Sequence, residues 1–131
     1  MSAVLDSWAV LRLLEGREPV ASRVQHVLDH ERSVMSWINV GEVFYIVMRE
    51  QGPEEAEAVV RDLRPLLRLE MPTEQRVIRA ARIKADNSLA YADAFAAATA
   101  LAYDARLLTG DPELLFDGSP WKVEDLRSGP P

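Results

Sequence analysis

The 131-residue chain contains no cysteine. Disulfides and thiolate metal sites are therefore excluded, and a reducing compartment suits such a chain. Long hydrophobic runs are missing too: no window approaches the roughly 18 uninterrupted apolar residues of a transmembrane helix. The opening stretch MSAVLDSWAVLRLLEG has no basic n-region, and Asp6 and Arg12 interrupt its apolar run, so it does not read as a signal peptide. The expectation is a cytoplasmic protein without a membrane partner. Basic excess is also lacking, with 21 acids against 15 Lys and Arg and a net charge of −6. A protein that coats duplex nucleic acid needs a basic surface. Any nucleic-acid chemistry here must use a local basic patch or bound cations; otherwise the acids serve solubility. Histidine is limited to His26 and His30. Their i, i+4 spacing would permit metal binding, but they sit on one amphipathic segment and read better as a solvated face, so zinc is disfavoured. Repeats and low-complexity segments are absent. Residues 1–131 read as one domain, long enough to bury a core, with residues 128–131 (SGPP) as a fraying tail.

What is present is an alternation of short apolar runs and helical periods. Ala3 to Leu5 reads as a buried strand, and SWAVLRLLEG from Ser7 as a helix stopped by Gly16. Val20 to Glu31 repeats apolar residues at helical spacing. SVMSWI, residues 33–38, reads as a second strand, followed by a helix from Asn39 to Gly52. Pro53 opens a further helix, PEEAEAVVRDLRPLL, with acids in its first turn where the helix dipole favours them. LRLEM is a third short strand, TEQRVIRAARIKADN a helix capped by Thr73, and LAYADAFAAATALAYD an alanine-rich helix. ARLLT is a fourth strand, DPELLF a short helical turn and WKVEDL a last edge strand. Strands alternating with helices indicate an α/β layer around a parallel sheet.

In open sheets of this kind, sites form beyond the carboxyl ends of the strands. Asp6 ends the first strand, Glu42 lies in the first turn after the second, Asp93 near the start of the alanine-rich helix, and Asp111 just after the fourth strand. Each has a plainer reading. Asp6 and Asp111 can cap helices, the latter with Pro112 at the first helical position. Asn39 and Glu42 have the spacing of a capping box. Asp93 is the hardest to explain so. It is the sole acid between Asp86 and Asp104, in a segment apolar on all sides. A buried carboxylate needs a partner, which leaves a metal, a distant arginine or solvent in a cleft. Two carboxylates 4 Å apart repel by about 4 kcal/mol at an effective dielectric of about 20. A divalent cation with hard oxygen ligands, Mg²⁺ or Mn²⁺, relieves that repulsion.

Four blocks in this order, AVLDSWA, INVGEV (38–43), YADAFAAATA (91–100) and LLTGDPEL (107–114), resemble the PIN-domain ribonucleases, and within them the VapC-type toxins of bacterial toxin–antitoxin modules. The resemblance spans the chain. It implies a three-layer α/β/α PIN fold with a central parallel sheet in strand order 3-2-1-4-5, and cleavage of RNA dependent on Mg²⁺ or Mn²⁺. It carries the family's acidic site onto Asp6, Glu42, Asp93 and Asp111, as catalytic residues and metal ligands, with Asn39 and Thr109 in support. Ala90 departs from the hydroxyl residue that relatives often hold ahead of the YxD segment. Asp117 reads as a surface acid rather than a further ligand.

On this reading an ion held chiefly by Asp6 and Asp93 activates water and polarises the phosphoryl oxygen, while Glu42 and Asp111 complete the coordination. Arg76, Arg79, Arg82 and Lys84 lie along one helix and offer either an RNA-backbone contact or a solvated face. The partners implied are RNA, a cognate VapB-type antitoxin and a second copy of the chain, the last suited by the apolar run FYIVM at 44–48. Two alternatives stay open: a housekeeping PIN nuclease of RNA processing, and a phospho-acceptor receiver-like module. The second fits poorly, since Asp6 has no acidic neighbour and Lys84 and Lys122 are the only lysines.

Overall fold

The structure, a computed structural model, describes residues 1–128. Five strands, β1 (Ser2–Leu5), β2 (Arg32–Ser36), β3 (Arg68–Glu70), β4 (Arg106–Thr109) and β5 (Val123–Asp125), form one sheet in the order β3-β2-β1-β4-β5. Every pairing is parallel, for example Val4 with Val34 and with Leu107. Six helices accompany them: α1 (Ser7–Glu15), α2 (Val20–His30), α3 (Trp37–Gln51), α4 (Pro53–Leu63), α5 (Glu74–Asp86) and α6 (Tyr91–Ala102). A 3₁₀ turn, Leu126–Ser128, follows β5. It takes in the first residue of the expected fraying tail; residues 129–131 lie outside the described residues. The expected α/β class and strand order 3-2-1-4-5 are both observed. This order differs from the 2-1-3-4-5 order of flavodoxin-like modules such as receivers, so the receiver-like alternative is set aside.

Strand residues alternate between the two sides of a sheet, and here both sides are apolar. Ala3, Leu5, Met35 and Leu108 join a core with α1 to α4; Val4, Val34 and Leu107 join a second core with α5 and α6. Each fully buried Val or Leu contributes about 1.5–3 kcal/mol, so strands of three to five residues are held firmly by both layers. Helix α6 is buried continuously from Asp93 to Ala100, as expected of a helix apolar on all sides. Thr99, within that run, satisfies its hydroxyl by donating to the Phe95 carbonyl at 2.7 Å.

Several boundaries differ from the sequence reading. The second strand stops at Ser36 instead of continuing to Ile38, because the Ser36 hydroxyl accepts the Ile38 amide at 3.2 Å and caps α3 there. Glu42 consequently lies in the second turn of α3, not the first, and the Asn39–Glu42 capping box does not form. Residues 112–114 make a turn rather than a helix. The strand read from WKVEDL narrows to Val123–Asp125, and the helix from Pro53 ends at Leu63. The stop expected at Gly16 and the N-terminal cap expected at Thr73 both hold: Gly16 takes the left-handed φ of 66° that favours glycine, and Thr73 accepts the Arg76 amide at 3.1 Å.

Candidate metal centre

The parallel sheet delivers β1 and β4, adjacent strands, to the same edge, and α6 starts beside them. At the end of β1, Asp6 is almost fully buried and has two structural tasks. Its Oδ1 accepts the Ala9 amide at 2.9 Å, capping α1, and its Oδ2 accepts the Thr109 hydroxyl from the end of β4. The Thr109 oxygen also accepts the Asp111 amide at 3.0 Å, so one hydroxyl ties Asp6 to the turn that follows β4. In that turn Asp111 Oδ1 accepts the Glu113 amide at 2.9 Å, the side-chain-to-backbone bond that aspartate makes readily. Asp111 thus caps a turn with one of its carboxylate oxygens.

Asp93 projects from the first turn of α6 and is 4% exposed. Carboxylate oxygens of Asp93, Asp111 and Glu113 all lie within 4.8 Å of one another. Glu113 also reaches α6 itself: its Oε1 accepts the Ala90 amide at 3.2 Å. Ala90 has no side chain able to cap the helix, and a carboxylate from the β4 turn supplies the missing acceptor. Glu42 stands at the border of this group, its Oε1 accepting the Ser7 hydroxyl. Asn39, fully buried on α3, donates to the Ala92 carbonyl at 3.0 Å and so fixes α6 one residue before Asp93. Its Oδ1 is buried without a partner among the described residues.

The electrostatics follow from this crowding. Burial raises the pKa of Asp6 to about 7, with Asp111 and Glu42 adding repulsion against the hydrogen bonds from Thr109 and Ala9. Asp93 is pushed well above the carboxylate range by burial first, then by Asp111, Glu113 and Asp6. Among the described residues, none of Asp6, Glu42, Asp93, Asp111 and Glu113 takes part in an ion pair.

All four acids singled out in the sequence therefore reach one edge, but not equally. The tight group is Asp93, Asp111 and Glu113; Asp6 and Glu42 flank it. Glu113 was missed, as was the Ser7 hydroxyl on Glu42. Asp117 is exposed and outside the group. Of the basic row on α5, Arg76 is consumed by Glu70, 2.9 Å away. His26 and His30 stack with ring centroids 4.2 Å apart, and His30 Nδ1 lies 2.8 Å from the His26 carbonyl on the exposed face of α2.

A model of the PIN domain family matches residues 3–117. The chain belongs to the PIN domain family. This PIN domain is similar in structure to VapBC2 of Rickettsia felis, solved bound to a DNA fragment from its promoter, with a TM-score of 0.75 at 15% identity over 95% of this chain and 98% of that one. VapBC-1 of nontypeable Haemophilus influenzae gives a TM-score of 0.73 at 22% identity, covering 95% and 98%. VapC20 of Mycobacterium tuberculosis, a toxin that cleaves the sarcin–ricin loop, gives 0.67 at 15% identity, covering 89% and 91%. At these identities the likeness is one of fold. No curated protein matches the chain in sequence.

Proposed function

We propose that this PIN domain is a divalent-metal-dependent endoribonuclease acting as the toxin of a VapBC-type pair. One observation carries the reading: Asp93 is buried at the head of an alanine helix, and the charged groups against it are other carboxylates. An isolated buried charge costs several kcal/mol unless it is paired or neutralised, and an all-oxygen donor set suits Mg²⁺ or Mn²⁺. Asp93, Asp111 and Glu113 would hold the ion, with Asp6 and Glu42 in reach as further or water-mediated partners. When bound, the ion supplies a water of lowered pKa and a positive charge opposite the phosphate. The chain supplies the positioning. Thr109 and the Ala9 amide hold Asp6, Ser7 holds Glu42, and the Glu113 bond to Ala90 keeps the β4 turn against α6. Glu42, whose Oε1 accepts the Ser7 hydroxyl, would be the group to take a proton from the attacking water.

RNA as the substrate is supported by the family and by the loop-cleaving VapC20 relative; Arg79, Arg82 and Lys84 remain available for its backbone. A VapB-type antitoxin partner is supported by the VapBC relatives. A homodimer is favoured by Tyr45 and Met48, both 45% exposed on α3. Residues 1–131 act as one domain in the cytoplasm. Among the described residues, no helix is long and apolar enough to cross a membrane.

Structured RNAs incubated with the purified protein should be cut with Mg²⁺ or Mn²⁺ and left intact with EDTA. Asp6→Asn and Asp93→Asn should each lower cleavage by about a hundredfold or more, since even residues that merely orient metal ligands are worth about 10–100-fold. Full cleavage by both variants in EDTA would overturn the assignment. Expression of the wild-type chain alone should slow growth where Asp93→Asn does not; equal growth at equal protein levels would favour a housekeeping role in RNA processing.

A further inference from the structure

Gly110 stands between Thr109 and Asp111, where the sequence shows only a turn residue. Glycine is usually required where φ is positive, but the positive-φ glycines here are Gly16, Gly52 and Gly118, and Gly110 is not among them. Its requirement is space. A Cβ placed on Gly110 would lie 2.3 Å from Cη2 and Cζ2 of Trp8 and 2.6 Å from its Cε2. These separations are far inside the roughly 3.5–4.0 Å optimum for carbon atoms. The indole of Trp8, from the first turn of α1, therefore lies directly on the backbone of the turn that carries Asp111 and Glu113.

The ring has little freedom to swing away. It packs against the core beneath α1, and the guanidinium of Arg12 covers it 4.6 Å from a ring centroid. Arg12 is itself held by Glu15 at 2.9 Å. The β4 turn is thus fastened to α1 at two points: the Thr109 hydroxyl on Asp6, and the Trp8 ring on Gly110. From this double attachment we infer that Trp8 and Gly110 form a steric lock that sets where Asp111 and Glu113 stand relative to Asp6 and Asp93. Trp8 is a positioning residue, acting through the turn and touching no ion. The inference rests on the metal reading above for its consequence, but the lock itself is a property of the metal-free protein.

The test uses the full chain and two measurements: Mn²⁺ affinity by titration, and amide exchange at Asp111 and Glu113, whose N–H groups are bonded to Thr109 and Asp111 in the turn. Gly110→Ala should speed exchange at both amides and weaken Mn²⁺ binding on the order of 10- to 100-fold, the range seen when groups that orient metal ligands are lost. Trp8→Leu should do the same more mildly while keeping an apolar side chain on the core. In the Trp8→Leu background, Gly110→Ala should cost no further affinity, because the added methyl meets no ring. Losses that add independently would overturn the lock. So would a Gly110→Ala protein with wild-type exchange and wild-type Mn²⁺ affinity, since the ring would then simply have moved aside. A variant that lost midpoint stability alone, with both readouts unchanged, would reduce Trp8 to a core residue and overturn it too. If the wild-type protein bound no Mn²⁺, the metal reading would fall, and the exchange data would still decide the lock.

Discussion

Two groups of partly or fully buried acids in this molecule have opposite surroundings. Away from the metal centre, Glu31 receives both terminal nitrogens of Arg106 at 2.7 and 2.8 Å, and Glu124 is gripped by Arg23 and Arg106 at 2.7–3.0 Å. Hydrogen bonds from these arginines pull both glutamates below the ordinary carboxylate range. Glu70 follows them: its burial works upward, but Arg76 and Tyr103 more than offset it and the net shift is down. At the carboxyl edge of the sheet, Asp6 and Asp93 move the other way, and among the described residues no ion pair reaches them. The fold evidently can place arginines against buried acids, and does so repeatedly. An acidic group left without one is the feature on which the proposed cation site rests.

Adding Mn²⁺ should break the symmetry of this comparison most strongly. An ion at 100 times its dissociation constant stabilises the native state by about 2.7 kcal/mol. The denaturation midpoint of wild type should rise accordingly, that of Asp93→Asn much less, and that of Glu124→Gln as much as wild type. A rise shared equally by wild type and Asp93→Asn would place the ion elsewhere.

Without metal the two groups should answer substitution with opposite signs. Glu124→Gln takes the carboxylate from Arg23, whose side chain is 24% exposed, and leaves Arg106 with Glu31 alone, and should cost about 1–3 kcal/mol, between the values for exposed and fully buried pairs. Asp93→Asn removes a carboxyl that burial first, and its acidic neighbours second, disfavour as the charged form, and should stabilise the metal-free protein. Urea midpoints in EDTA check both, and a loss of stability in Asp93→Asn would show that some donor compensates Asp93 after all.

Acidity sharpens the contrast in smaller steps. Asp6 and Asp93 have folded pKa values above the unfolded value of about 4, so the native state holds the extra proton of Asp6 between about pH 4 and 7 and that of Asp93 between about pH 4 and 9. Stability in EDTA should therefore rise as pH falls through those windows. Glu31, Glu70 and Glu124 have lowered values, so their contribution is present above about pH 4.5 and is lost as pH falls through their folded values. A metal-free stability maximum on the mildly acidic side should result, and Asp93→Asn should move it toward neutral pH. A maximum unmoved by that substitution would remove Asp93 from the set of titrating groups.

Much of this was legible in the chain. The hydrophobic alternation located all five strands, and placing the acids against the expected carboxyl edge of the sheet, together with the family resemblance, selected Asp6, Glu42, Asp93 and Asp111 as candidates. What escaped has physical causes. Trp37 and Ile38 are residue types that favour strands, so the second strand seemed to run on, while the decisive signal was the smaller Ser36 as a cap. Glu113 looked like an ordinary acid at the start of a turn, and its role depends on α6 arriving beside it; the clue available was the lack of a capping side chain at Ala90. Arg76 belonged by spacing to a basic helix face, but its partner Glu70 sits across the β3–α5 junction, where helical periodicity has no reach. The Trp8–Gly110 contact joins residues a hundred positions apart in a pattern that no periodicity records.

The position of β1 in the sheet has a consequence for how the protein comes into being. β1 is the central strand, flanked by β2 and β4, and of these three it leaves the ribosome first and β4 last. Until Arg106–Thr109 has been made, the second side of β1 is an open edge, able to pair wrongly. Closing it requires the long-range parallel pairing that makes folding slow. During that interval Asp6 lacks Thr109, and Asp93 lacks Asp111 and Glu113. A nascent chain therefore carries an incomplete acidic centre, and any hydrolytic capacity would arise only once β4 and the turn after it dock against β1 and α6.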